Sequence, residues 1–88
     1  MISDTLTPKQ QEAAIIAIEE MAELTQVLSK LIRFGYTPDK YEPLIQELGD
    51  VRCMIQLLHE HFDIDYNDTN KAIANKRQKL TKWSKLYE

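Results

Sequence analysis

The apolar pattern predicts an all-α protein, an antiparallel helical bundle of three main helices, and the small size of the chain adds the expectation that homo-oligomerisation completes it. Three observations carry this. Apolar residues recur every three or four positions along most of the chain. No segment alternates strictly, as a half-buried strand would. Residues that start and stop helices punctuate the chain at three places. At 88 residues, one domain over 1–88 is expected, and a core that small is marginal without a metal, a disulfide or self-association. The single cysteine, Cys53, rules out an intramolecular disulfide, leaving metal binding and self-association.

The first helix is expected from Pro8 to about Arg33. Thr7 can cap it, Pro8 suits its first position, and Gln10 can complete a capping box. Its apolar residues are Ala13, Ile16, Ala17, Leu24, Val27, Leu28 and Leu31, and Gly35 can supply a left-handed stop. Residues 35–43, with Gly35, Pro38 and Pro43, read as a loop. The second helix is expected from about Pro43 to His61, with Leu44, Leu48, Val51, Ile55 and Leu58 as its apolar line. Residues 62–65 form a turn. The third helix starts near Asp65, a good cap, with Asp68 in its first turn, and runs toward Trp83.

No apolar run approaches the ~20 residues of a membrane-spanning helix. Met1, Ile2, Ser3 and Asp4 lack the basic-then-apolar order of a secretory signal. With a lone cysteine, these features lead us to expect a reducing cytoplasm and no membrane partner. The net charge of −3 argues against a nucleic-acid partner. Charge is divided unevenly: from Lys71 onward there are six bases and one acid, whereas the first seventy residues hold thirteen acids and five bases. The two glycines, Gly35 and Gly49, exclude a glycine-rich phosphate loop.

The chemistry-bearing residues are acidic. Glu19, Glu20 and Glu23 lie in the first helix, Glu47 and Asp50 in the second. Residues three or four apart share a helix face, so Glu20 projects with Glu23 and Glu47 with Asp50. These acids border the stripes expected to be buried, Glu20 and Glu23 beside Ile16, Leu24 and Val27, and Glu47 and Asp50 beside Val51, Met54 and Leu58. Packing the stripes together brings four carboxylates close. Such a cluster repels itself and raises its own pKa values unless a cation joins it. Oxygen-only ligands favour Mg²⁺, Mn²⁺ or Ca²⁺ over zinc. The ordinary alternative is that each Glu-x-x-Glu or Glu-x-x-Asp pair faces solvent.

On the third helix, Tyr66, Thr69, Ile73, Lys76, Leu80, Trp83 and Tyr87 follow one line. Lys76 within that line either snorkels to water or is a cation aimed at a phosphate beside the acids, with Lys71 and Arg77 able to reach the same phosphates.

These residues resemble a known family. Glu19-Glu20-Met21-Ala22-Glu23, a spacer of residues 24–46, and Glu47-Leu48-Gly49-Asp50-Val51 are similar to the signature of the all-α nucleotide pyrophosphohydrolases, especially the MazG-like branch. Residues 71–80 resemble that branch's basic phosphate-contacting helix. The resemblance covers about residues 10–83, and lacks the additional helices of longer members. It implies that Glu20, Glu23, Glu47 and Asp50 bind Mg²⁺, or alternatively Mn²⁺, and that Glu19 assists a second ion or the attacking water. Lys76 and Arg77 would offset phosphate charge. The implied reaction is water attack at the α-phosphate of an NTP or dNTP, giving a monophosphate and pyrophosphate, in a homodimer or homotetramer.

His59 and His61 read as surface residues and form no zinc motif. Cys53 reads as a small half-buried residue. Phe34, Tyr36, Trp83 and Tyr87 read as core or interface, with base stacking as the alternative. Arg52 is either a phosphate contact or an ordinary ion-pair partner. Besides the enzyme, a non-catalytic nucleotide-binding or regulatory module on the same fold, and a structural helical dimer with solvent-facing acids, remain open.

Overall fold

The computed structural model describes residues 5–88, so the Met1–Asp4 stretch read for a secretory signal lies outside it. The described residues form three α-helices and one 3-10 turn: α1 (Pro8–Phe34), the turn Pro38–Lys40, α2 (Tyr41–His61) and α3 (Tyr66–Trp83). No strand occurs among the described residues, and no helix is long and apolar enough to cross a membrane.

The local signals act as their chemistry requires. Thr7 Oγ1 accepts from the Gln10 amide at 3.1 Å, while Gln10 Oε1 accepts from the Thr7 amide at 2.9 Å. This reciprocal pair satisfies two amides that a helix start leaves open. α2 begins at Tyr41, two residues before the expected Pro43, because proline is tolerated in a first turn whose N–H groups have no intrahelical acceptor. Asp65 caps α3 by accepting from the Asn67 amide at 2.8 Å.

Gly35 stops α1 with φ +84° and ψ 166°, and its amide donates to Leu31 O at 2.8 Å. That backbone region is open essentially to glycine alone. A Cβ there would meet nothing within 4 Å, so the cost of a side chain is conformational and not steric. Gly35→Ala is therefore expected to destabilise the fold by about 1–3 kcal/mol, read from urea unfolding; an unchanged midpoint would show that the chain relaxes out of this conformation. α2 ends similarly, with Asp63 at φ 53° and the Ile64 amide donating to His59 O at 2.9 Å, the six-to-one bond of a Schellman stop.

Packing between helices is concentrated in an antiparallel α1–α2 hairpin. A heptad series of covered positions forms the seam: Gln10, Ala13, Ala17, Glu20, Leu24, Val27 and Leu31 on α1, and Lys40 just before α2 with Leu44, Glu47, Val51, Met54, Leu58 and His61 on it. Gln10 Nε2 donates to His61 O at 2.9 Å and pins the register at one end. Ala13, Ala17 and Met54 are the buried apolar residues, with Ile16, Leu57 and Leu58 packed on them. Leu28, Leu48 and Ile55, expected in the buried lines, are exposed. They lie one residue beyond seam positions, and that offset of about 100° rotates them out of the seam.

α3 buries no residue. Its expected inward line is open at Tyr66, Ile73, Lys76, Trp83 and Tyr87, and half-buried only at Thr69 and Leu80. The helix is held at its start. His59, read as a surface residue, is 6% exposed and stacks on Tyr66 with ring centroids 4.0 Å apart. Its Nδ1 pairs with Ile64 O at 3.0 Å and its Nε2 with Thr69 Oγ1 at 3.2 Å. A histidine can fill both roles because its two ring nitrogens serve different partners. His61 is half-buried at the hairpin end.

The single chain is far from a packed globule. Its radius of gyration is 16.1 Å, where a compact domain of this length has ~12 Å. Its accessible surface is 7482 Å², where a compact monomer of this mass exposes ~5400 Å². Much of the excess is apolar. Ile18, Met21, Leu28 and Ile32 of α1, and Ile45, Leu48 and Ile55 of α2, are exposed, each one residue after a seam position. In an antiparallel pair that offset turns both helices toward the same side, which makes one broad apolar face. Phe34, Tyr36, Trp83 and Tyr87, expected as core or interface, are also exposed.

Candidate metal centre

Two of the predicted acids do not border the seam; they occupy it. Glu20 takes the heptad place between Ala17 and Leu24, and Glu47 the one between Leu44 and Val51. The gaps in the apolar period of each helix are thus filled by carboxylates. Asp50 is half-buried, while Glu23 and Glu19 are exposed. One oxygen each of Glu20, Glu23 and Glu47 lies within 4.8 Å of the others. Asp50 stands outside that group of three and meets it at Glu20, the two lining a shallow groove with Ile16, Cys53 and Met54.

Glu20 Oε2 and Glu47 Oε2 are closed off from water and have no hydrogen-bond partner among the described residues. A carboxylate is an acceptor only, so two ionised carboxylates in contact lack the proton that would join them. Burial first, then the charges of Glu23, Asp50 and Glu47, push the Glu20 carboxyl above its ordinary value. Burial first, then Glu23 and Asp50, do the same to Glu47. Protonation would let Glu20 share a hydrogen bond with Asp50, and Glu47 with Glu23; a cation would relieve the same conflict at neutral pH.

The raised values fix a sign. Each group's folded pKa exceeds its ordinary 4.5, so folding takes up protons in the window just above 4.5. Stability of the metal-free protein is therefore expected to fall as pH rises from 4.5 through the folded values, and to gain on acidification into that window. Melting temperatures in chelator across pH 4.5–7 read this. A double Glu20→Gln, Glu47→Gln chain should lose the slope; equal slopes in both chains would assign it to other groups.

The donor set fits a hard divalent ion, being all oxygen with two donors otherwise unsatisfied. Ligands ~2.1 Å from a common Mg²⁺ lie at most ~4.2 Å apart, so small side-chain rotations bring the three glutamate oxygens into range. With such an ion in place, the centre would present positive charge at the shallow groove that Glu20 and Asp50 line.

Other predicted residues are placed apart from it. Lys71, Lys76 and Arg77 are exposed on α3. Lys76 Nζ sits 5.0 Å from the Trp83 ring centroid, and Arg77 Nη1 donates to Tyr87 Oη at 3.4 Å. Among the described residues no basic side chain forms an ion pair with the four acids. Lys76 instead lines a groove between α2 and α3 with Arg52, Ile55, His59, Tyr66 and Ile73. The acids and α3 thus occupy opposite sides of α2. Cys53 is exposed and borders the acid groove, correcting its reading as half-buried. Sequence reasoning passed over Gln46, whose Nε2 donates to Asp50 Oδ1 at 3.1 Å; its place four residues before Asp50 was the available signal. Compared with protein-family models, curated proteins and solved structures, the chain matches none.

Proposed function

We propose that the protein is a Mg²⁺-dependent nucleoside triphosphate pyrophosphohydrolase, converting an NTP or dNTP to its monophosphate and pyrophosphate in the cytoplasm. The observation that carries the reading is the pair of seam glutamates, Glu20 and Glu47, each with a closed-off oxygen lacking a partner, facing Glu23 and Asp50. A fold that needed only a hydrophobic seam would place apolar residues at both positions. Carboxylates there cost stability unless something positive binds them.

Glu20, Glu23, Glu47 and Asp50 hold Mg²⁺, or Mn²⁺ in its place. A divalent ion supplies Lewis-acid polarisation of the phosphate chain. Glu19, exposed one helical turn from Glu23 on the groove side of α1, takes a proton from the attacking water at its carboxylate. Lys71, Lys76 and Arg77 offset phosphate charge. Because α3 stands across α2 from the acids, we assign this contact to α3 of a neighbouring subunit in a homodimer or homotetramer. The broad apolar face supports self-association, since exposed patches of this kind mark association surfaces.

The test is a panel of natural and damaged NTPs and dNTPs assayed for pyrophosphate release with Mg²⁺ and Mn²⁺. Release from at least one nucleotide is expected. Nucleotide and metal binding without release would replace the enzyme with a non-catalytic sensor on the same fold. The subunit assignment has its own test. Mixing inactive Glu20→Ala chains with inactive Lys76→Ala, Arg77→Ala chains should restore up to about a quarter to a half of activity, because mixed dimers carry one intact composite site; no recovery in verified mixed oligomers overturns it.

A further inference from the structure

Among the four acids, Asp50 alone receives a side-chain donor among the described residues. Gln46 Nε2 reaches its Oδ1 at 3.1 Å, one helical turn away on the same face of α2. Glu20 and Glu47 each have an oxygen with no partner, so their orientation is left to whatever binds them. Asp50 is different, because one of its oxygens is engaged before any ligand arrives.

That asymmetry has a consequence for ion choice. An aspartate with one oxygen held by an amide offers the other as a single ligand, whereas a free carboxylate can turn to present both. Mg²⁺ is small and demands near-octahedral geometry with single-oxygen ligands, while Ca²⁺ accepts two oxygens of one carboxylate and higher coordination numbers. Groups that hold a ligand from behind set its orientation, and their loss typically costs ~10–100-fold in metal affinity.

We propose that Gln46 is a positioning residue that keeps Asp50 a one-oxygen ligand, and thereby makes the centre select Mg²⁺ or Mn²⁺ over Ca²⁺. The inference rests on the metal-binding reading above and adds to it the source of the selectivity. Gln46 is exposed and packs in no core, so its replacement leaves the fold intact. A Gln–Asp pair on a helix surface contributes only ~0.2–0.5 kcal/mol to the helix itself. A purely structural role therefore shifts the metal-free melting point slightly and leaves relative ion affinities untouched.

The experiment is titration calorimetry of the full chain with Mg²⁺, Mn²⁺ and Ca²⁺ separately, without nucleotide. The chains compared are wild type, Gln46→Met, which keeps length but has no donor, and Gln46→Lys, which restores a donor. The metal-free melting temperature of each is measured alongside. The expected result is a fall of ~10-fold or more in Mg²⁺ affinity for Gln46→Met, with Ca²⁺ affinity held or raised. Gln46→Lys should recover the Mg²⁺-to-Ca²⁺ ratio even where its added charge weakens both ions. An unchanged ratio in Gln46→Met, with the wild type binding Mg²⁺, overturns the role of Gln46 alone. No binding of any of the three ions by the wild type overturns it together with the metal centre.

Discussion

Glu47→Gln is expected to reduce pyrophosphate release by at least ~10²-fold, more than the usual effect of losing a group that merely supports a ligand, while raising the melting temperature of the metal-free protein. The two effects share one cause. Glu47 sits in the α1–α2 seam with Oε2 closed off from water and without a partner, and its carboxyl is pushed above its ordinary value by burial and by Glu23 and Asp50. The amide keeps the shape, removes the charge that repels those neighbours and introduces a donor they can accept. It also removes an anionic ligand. Glu20→Gln should behave in the same way, because Glu20 occupies the equivalent place on α1. Glu20→Ala and Asp50→Ala should abolish activity too, although Glu20→Ala also leaves a hole in the seam. A Glu47→Gln chain that melts lower without metal, or that turns over normally, removes the seam acids from the site.

The second large effect is stabilisation by the ion. With free Mg²⁺ at 100 times its dissociation constant, binding to the folded state alone adds about 2.7 kcal/mol. For a domain of 60–100 residues each kcal/mol moves the melting temperature by roughly 4–8 °C, so a rise of ~10–20 °C is expected. This is large because the hairpin core is small, with Ala13, Ala17 and Met54 as its buried apolar residues. The increment should vanish in the Glu20→Gln, Glu47→Gln chain. Mg²⁺ that leaves the wild-type transition in place would favour a structural dimer whose acids need no cation. Assembly is separable from this effect, because it makes the melting temperature depend on protein concentration at fixed Mg²⁺.

Much of the architecture was legible locally. The capping box at Thr7 and Gln10, the stop at Gly35 and the Asp65 cap depend on residues within a few positions of one another, and each helix boundary fell within two residues of its expected place. The acid pairs were legible too, because spacing of three along a helix fixes a shared face whatever the helix packs against. Which apolar residues would be covered was not legible. Leu24 and Leu28 are equally apolar and lie on adjoining stripes, so hydrophobic period alone cannot choose between them. The pairing of α1 with α2 chose the stripe that contains Glu20 and Glu47, and left the one containing Ile18, Met21, Leu28 and Ile32 open.

The same limit applies to α3 and His59. From spacing, Lys76 falls on the apolar line of its helix; only the turn at residues 62–65 decides toward which side of α2 that line swings. His59 closes that turn through Ile64, Tyr66 and Thr69, contacts between separate elements that no periodicity encodes. By itself, then, the sequence determined three helices, their ends and the facing of four carboxylates, because backbone hydrogen bonds and helical geometry are local. Tertiary structure alone decided that two of those carboxylates enter the seam, that the basic helix stands across α2 from them, and that a broad apolar face is left uncovered. Burial is a relation between helices, set by the register in which they meet.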